Sequence, residues 1–348
     1  MTTSSAPTSQ SIANLKQIAE NLLGVSEVTL ESIDGGRNSR VYRLIAPSAV
    51  YAFKTYFRHA SDSRARMQTE FDALRFLWDN GECAVPEPIA AAEGEDCAIY
   101  EWIDGEKVDE PTEDQMREAT SFIQRLHRFC KRPGSARLRP ASEACFSGTA
   151  LVDCLRGRLA PLMERTEYTE LAAFLRDELS PTMESICARS HEMMGDLFTR
   201  ELAPENRTLS PSDFGFHNAL LRRDGGMVFL DLEYFGWDDP VKLIADFMLH
   251  PGMQVSPDRK CQFASATLRE FPETLDRFEA LFPMYGLKWC MILLNEFLPA
   301  HLARRRFAGM TESVISARQT EQLSKARTML RLSADASPFR YGDKDRTN

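Results

Sequence analysis

Apolar residues recur at helical spacing near the start of the chain, in "SIANLKQIAENLLG", where Ile12, Leu15, Ile18, Ala19 and Leu22 share a face. Ser11 stands where a helix cap belongs, and Gly24 where a helix stops. The period then shortens to two. "SEVTLESI", "SRVYRLI" and "AVYAFKTYF" read as three strands, the first two joined by "DGGRN", a turn by composition. An amphipathic helix follows from about Ser63 to Asn80, with Phe71, Leu74, Phe76 and Leu77 apolar and Gly81 at its end. "AVPEPI" and "CAIYEWI" add two more strands. By about residue 103 the pattern predicts a five-stranded sheet with one helix inserted after its third strand.

From residue 112 the apolar period lengthens to that of a helix and mostly stays there. "EDQMREATSFIQRLHRFC", "TALVDCLRGRLAPLMER", "ELAAFLRDELSPTMESI" and "LKWCMILLNEFLPAHLARRRF" all read as helices. One interruption stands out: "NALLRR" and "MVFLDLEY" flank "DGG", a hairpin signal. No repeat period is visible, and from about Ser333 the chain turns polar. The expected organisation is α+β. A tail and helix (1–24) precede a small antiparallel sheet lobe (25–102). A mostly helical lobe (103–332) carries the hairpin, and a tail (333–348) follows.

Composition narrows this picture. At 348 residues with 43% hydrophobic and 27% charged positions, the chain suits two lobes better than one and argues against disorder outside its ends. A net charge of −9 speaks against an extended nucleic-acid surface. Eight cysteines are scattered without a Cys-x-x-Cys, which disfavours zinc and suits reduced, mostly buried thiols. "MTTSSAPTSQS" lacks the basic and apolar regions of a secretory leader, and no apolar run reaches the ~18 residues that span a bilayer. No membrane partner is expected, and the cytoplasm is the expected compartment.

Phosphoryl transfer from a nucleotide asks for a cation on the phosphates and a carboxylate holding that cation. It also asks for a base at the acceptor hydroxyl and oxygen ligands for Mg²⁺. The chain offers candidates in that order. Lys54 lies in the third strand, flanked by aromatics, and Glu70 lies in the following helix. In "SDFGFHNALLRRDGGMVFLDLEYFGWDDP", Asp213 stands as base, and Asn218 and Asp231 flank the hairpin that would bring them to one metal. Taken singly, each has a plainer reading: Lys54 a solvated strand residue, Asp213 a turn cap, Asn218 a strand start. The five together, on the right elements, favour chemistry.

This arrangement resembles the aminoglycoside phosphotransferase and choline kinase family, small-molecule kinases with a protein-kinase-like fold. "GGRNSRVYRL" is similar to its phosphate-proximal turn, with Asn38 on the nucleotide, and "AFKTY" to its lysine strand. "EFDALRFLWDNGECAVPEPI" is similar to its Glu-bearing helix and the Val-Pro-x-Pro that follows. "IYEWIDG" resembles the hinge where the backbone of Glu101, Trp102 and Ile103 would meet the nucleotide base. "SDFGFHN" matches its Asp-x-x-x-x-Asn, and "FLDLEYFGWDDP" its metal-binding Asp followed by Asp-Pro. The resemblance spans about residues 25 to 250. It implies a two-lobed enzyme moving the γ-phosphoryl of ATP or GTP, with Mg²⁺, to a hydroxyl of a sugar, aminoglycoside or similar metabolite.

The chain also departs from the family. Pro211-Ser212 replaces the usual His-Gly before the base, and Asp-Leu-Glu stands where protein kinases have Asp-Phe-Gly. The alternative is therefore a catalytically silent kinase-like module that binds or regulates. Among the remaining signals, Asp239 reads as a helix cap, and His217 as a structural hydrogen-bonder or substrate contact. Glu233 is a candidate helper at a second metal position. "ARRRF" (303–307) reads as a solvated face or an anion contact, and Trp102, Trp237, Trp289 and Tyr285 as core or a cation-binding cage.

Overall fold

A computed structural model describes residues 12–33, 39–56, 64–307 and 310–335. Along the chain run α1 (Ile12–Leu23), β1 (Thr29–Ile33), β2 (Ser39–Ile45), β3 (Val50–Tyr56), α2 (Arg66–Asp79), β4 (Pro88–Ala92), β5 (Cys97–Glu101), β6 (Gly105–Lys107) and α3 (Glu113–Phe129). Then come α4 (Gly148–Met163), α5 (Thr169–Phe174), α6 (Ser180–Met194), β7 (Thr208–Ser210), β8 (Ala219–Arg222), β9 (Met227–Phe229) and β10 (Gly236–Asp238). The last stretch is helical: α7 (Pro240–Leu249), α8 (Pro257–Leu268), α9 (Leu275–Leu293), α10 (Pro299–Phe307) and α11 (Glu312–Asp335). This is an α+β, protein-kinase-like fold.

The described residues form two compact units. One comprises the chain up to Ser142 together with Leu209–Trp237; the other comprises Glu143–Thr208 and the chain from Asp238 onward. The sequence reading drew one division after residue 102. In the structure, α3 and the β8–β9 hairpin group with the sheet instead.

In the first unit an antiparallel sheet has the order β1-β2-β3-β5-β4, which puts β3 at its centre. α1 presents Leu15 and Ala19, one turn apart, to a core that includes Tyr42, Leu44, Phe53 and Ile99. Gly24 ends α1 at φ +66, a conformation that costs glycine least. α2 packs on β3, β4 and β5. It spans 66–79 rather than about 63–80, and Ser63, like Ser11, lies outside the described residues. "AVPEPI" is not a strand as such. β4 starts at Pro88, because Pro86 and Pro88 have no N–H to give a ladder. α3 begins in a capping box, in which Thr112 Oγ1 accepts from Gln115 N and Gln115 Oε1 accepts from Thr112 N. A three-stranded ribbon, β6-β8-β9, completes the unit.

In the second unit α9 is the central helix, packed by α4, α6, α7 and α11. "ELAAFLRDELSPTMESI" is not one regular helix: α5 and α6 are joined by a π-helical turn, Leu175–Leu179. Pro181 follows that turn and has no N–H for a regular ladder. The "LKWCMILL…ARRRF" stretch is likewise divided, with α9 ending at Leu293 and Pro299 opening α10. α11 runs to Asp335, past the point where the sequence turns polar.

All eight cysteines are free thiols, four of them buried and only Cys83 exposed. No helix among the described residues is long and apolar enough to cross a membrane.

Candidate active site

Every site residue predicted from the sequence that lies among the described residues belongs to the first unit. Lys54 occupies the central strand, opposite Val41 on β2 and Ala98 on β5. Its Nζ lies 2.7 Å from Glu70 Oε2 and 2.6 Å from Asp231 Oδ1. The strand, the helix and the post-hairpin segment thus meet on one ammonium. Burial works against that charge, but Glu70, Asp231 and Glu233 outweigh it and hold the Lys54 pKa well above its ordinary value. Glu70 is raised by burial, which Lys54 partly offsets, and Asp231 adds to the rise.

Glu70 does more than the sequence implied. Tyr56, two residues past Lys54 and so on the same face of β3, donates its hydroxyl to Glu70 Oε2 at 2.6 Å. Since that is the one proton Tyr56 carries, Tyr100 is the donor in the 2.7 Å contact between the two phenols. Glu70 Oε1 accepts from Leu232 N at 3.3 Å. Three donors from two parts of the chain converge on a single carboxylate. Tyr56 and Tyr100 were missed by the sequence reading, although the i, i+2 spacing of Lys54 and Tyr56 carried the signal.

Asp213 and Asn218 share one tight loop. Asn218 N donates to Gly215 O at 3.0 Å and Asn218 Nδ2 to Asp213 O at 3.0 Å, which leaves Oδ1 as the atom the amide offers outward. His217 Nε2 lies 3.1 Å from Asp213 Oδ1, so this histidine braces the candidate base. Phe214 anchors the loop, with its ring centroid 5.8 Å from Phe122 and 5.0 Å from Phe229. Ser212 takes the place of the family's glycine and adopts φ +67 nonetheless. Its N donates to Ser210 Oγ at 3.0 Å, and its Oγ donates to Ser142 O at 3.4 Å. The residue before the candidate base is therefore left-handed.

The hairpin is built as expected. Asp224 Oδ1 accepts from Gly226 N, Gly225 sits at φ +88, and β8 pairs with β9. The second strand, however, stops at Phe229 rather than running through "LDLEY". Asp231 adopts φ +63, which an extended strand does not allow. Leu230 N donates to Asn218 O at 2.7 Å, so the hairpin brings Asn218 beside the segment that carries Asp231.

Carboxylate oxygens of Glu70, Asp231 and Glu233 lie within 4.8 Å of one another. Glu233 is raised by burial and then by Asp231. The cluster offers oxygen donors alone, a set that fits a hard divalent ion such as Mg²⁺.

β5 ends at Glu101, so Trp102 and Ile103 lie in the connection to β6. The Glu101 carboxylate is held by Arg222 at 2.8 Å, and Arg43 lies 5.7 Å over the Trp102 ring. Asn38 and its turn lie outside the described residues. Asp239 caps α7, accepting from Val241 N at 2.9 Å, and also pairs with Arg277. In "ARRRF", Arg305 pairs with Glu296 and Arg306 with Glu312, which fits a salt-bridged helical face. Trp237 donates to Ser135 O, Trp289 donates to Asp246, and Tyr285 is wholly buried, as structural aromatics are.

Residues 29–250 match the family described as "Phosphotransferase enzyme family". The structure is similar to that of spectinomycin phosphotransferase in complex with ADP and spectinomycin. The TM-score is 0.59 at 12% identity, covering 93% of this chain and 99% of that one. It is similar to an ADP-bound aminoglycoside phosphotransferase at TM-score 0.56 and 16% identity, covering 92% and 99%. For choline kinase from Cryptosporidium parvum Iowa II the TM-score is 0.55 at 14% identity, covering 92% and 96%. At these identities the shared property is the fold. No curated protein sequence matches the chain.

Proposed function

The chain belongs to the phosphotransferase enzyme family, and from that premise we propose that it moves the γ-phosphoryl of ATP or GTP to a hydroxyl of a sugar, an aminoglycoside or a similar small metabolite. One observation carries this reading: a buried lysine on the central strand, held between a helix carboxylate and the carboxylate that follows the hairpin, at 2.7 and 2.6 Å.

In this reading Lys54 holds the α- and β-phosphates, and Glu70 holds Lys54. Asn218 Oδ1 and Asp231 hold Mg²⁺, which when bound offsets charge on the β- and γ-phosphate oxygens. Asp213, steadied by His217, orients the acceptor hydroxyl and takes its proton. The backbone of Glu101, Trp102 and Ile103 meets the base, and Asn38 sits on the phosphate-proximal turn. Little covalent work falls to the protein, so positioning and preorganised charge supply most of the rate. The ADP and the spectinomycin of the spectinomycin phosphotransferase complex support an adenine nucleotide and a small-molecule acceptor.

The test is a thermal shift with ATP and with GTP, each with and without Mg²⁺, on wild type and Asp231→Asn. At a hundred times its Kd a ligand adds about 2.7 kcal/mol, a clear rise in midpoint. A Mg²⁺-dependent shift that Asp231→Asn loses is the expected result; no shift with either nucleotide overturns the reading. A silent module, the alternative raised by Pro211-Ser212, would bind nucleotide yet consume none with any acceptor.

A further inference from the structure

Two thiols that the proposed reaction leaves unused meet at the start of α4. Ser147 caps this helix, its Oγ accepting from Ala150 N at 3.1 Å. Cys145 stands two residues before the cap, and its Sγ lies 3.5 Å from Glu143 O and 3.7 Å from Ala150 O. Cys154 lies one turn beyond Ala150, so its own N–H is the helix partner of that same carbonyl, and its Cβ leans back toward it. Both cysteines thus converge on one peptide unit, and their thiols act on each other as hydrogen-bonding neighbours.

Their surroundings differ. Cys145 is 5% exposed, whereas Cys154 is half-buried. Arg158, one turn past Cys154, pairs with Glu143, and Lys288 on α9 reaches the other oxygen of that carboxylate at 3.4 Å. The hydrogen bond from Cys145 brings the Cys154 pKa down to about 7 against burial and Glu143, with Lys288 and Arg158 adding to the fall. The same bond, and then burial, raises Cys145. Near neutral pH Cys154 therefore carries the thiolate, the nucleophilic form, and Cys145 is the thiol that faces it.

We propose that Cys145 and Cys154 form an oxidation site that takes a hydroperoxide and closes to a disulfide, with Cys154 as the nucleophile and Cys145 as the resolving thiol. Cys154 Sγ bonds to the terminal oxygen of the hydroperoxide as the O–O bond breaks, giving a sulfenic acid. The departing oxygen takes a proton from solvent and leaves as an alcohol, or as water when the oxidant is hydrogen peroxide. Cys145 Sγ then bonds to Cys154 Sγ, the S–O bond breaks, and hydroxide leaves with the Cys145 proton as water. The two sulfurs lose two electrons and the peroxide gains them. The new bond ties the lead-in of α4 to its second turn.

Both cysteines lie on one tryptic peptide, residues 138–156, because Pro140 blocks cleavage after Arg139. The experiment exposes the folded, reduced protein to hydrogen peroxide near neutral pH, caps the remaining thiols with iodoacetamide and maps the peptides by mass spectrometry. The expected wild-type peptide is lighter by two hydrogens and carries no cap, and dithiothreitol before capping restores both capping sites. Cys145→Ser is expected to stop at a sulfenic acid on Cys154, trapped by dimedone, and Cys154→Ser to stay reduced at Cys145. A wild-type peptide capped at both positions, at a peroxide dose that fully oxidises added glutathione, overturns the proposal. So does Cys154 joined to any other cysteine, or a dimedone adduct on Cys145 of Cys154→Ser with none on Cys154 of Cys145→Ser. The wild-type map decides even where a serine variant does not fold. No nucleotide enters the experiment, so the site stands or falls apart from the kinase reading.

Discussion

Replacing Glu70 with glutamine keeps the shape of the side chain and removes one acceptor and the charge. Glu70 Oε2 takes Lys54 at 2.7 Å and Tyr56 at 2.6 Å, while Oε1 takes Leu232 N at 3.3 Å. All three partners are donors. A glutamine amide turns one of those two oxygens into a donor, so one orientation sets N–H groups against Lys54 and Tyr56, and the other sets them against Leu232 N. Neither is satisfied. Breaking a buried ion pair from one side costs about 3–5 kcal/mol, and a buried donor left without an acceptor adds about 1–3 kcal/mol. Against this, Asp231 still holds Lys54 at 2.6 Å. A net loss of about 3–5 kcal/mol follows, a fall in midpoint on the order of 10 °C for a unit of this size. The assay is thermal unfolding followed by tryptophan fluorescence, which reports chiefly on the first unit because Trp78, Trp102 and Trp237 all lie in it. A midpoint within about 2 °C of wild type, near 1 kcal/mol or less, would refute the idea that the carboxylate's charge organises these donors.

Asp213→Asn should leave folding and nucleotide binding intact while lowering turnover by about 10²–10⁴; full turnover, measured as acceptor-dependent nucleotide consumption, would remove Asp213 from its role. At Ser212, φ +67 makes the choice of replacement decisive. Ser212→Gly should fold and turn over much as wild type, whereas Ser212→Val should lose about 1–3 kcal/mol by denaturant titration and displace the base beside it. The acid limb of stability should carry a mark from Glu143. Burial alone would raise its pKa, but Lys288 and Arg158 outweigh that and bring it to about 2. A carboxylate lowered in the folded state stabilises above its ordinary value of 4.5 and loses that contribution as the pH falls toward 2. Its side chain is about a third exposed, which tempers the size. Glu143→Gln should therefore lose less stability than wild type between those pH values in acid-unfolding curves.

The placement of much of the candidate site was legible because its residues sit on elements that periodicity reveals. Lys54 could be placed on a strand and Glu70 on the next helix, and an Asp-Gly-Gly turn between apolar runs is an unambiguous hairpin. Other features lay beyond that kind of reading. The contact between Lys54 and Asp231 joins positions 177 apart, and the pattern of apolar faces says nothing about which charges meet at that range. "MVFLDLEY" alternates as a strand should. The chain leaves the strand at Phe229 because donors and charges on α2 hold the next residues elsewhere, a tertiary influence that overrides local propensity. Arg66 lies four residues before Glu70, a spacing that places both on one helical face, but only the fold shows what that face meets. The π-turn before Pro181 and the late start of β4 at Pro88 are cases where proline's missing N–H could have been weighed more heavily than the apolar period.

The pair of Lys54 and Asp231 has a consequence for the order in which ligands can enter. Each neutralises the other, so in the proposed roles the side chain that would hold phosphate and the one that would hold metal occupy one another. A nucleotide without metal must draw Lys54 away and leave Asp231 facing both Glu233 and the incoming phosphates. A metal without nucleotide must draw Asp231 away and leave the ammonium with Glu70 alone. The nucleotide–metal complex offers each side chain a new partner in the same event, so the exchange leaves neither charge stranded. Under the proposed roles such a site would work as a coincidence detector: it would discount either component alone and answer to the pair.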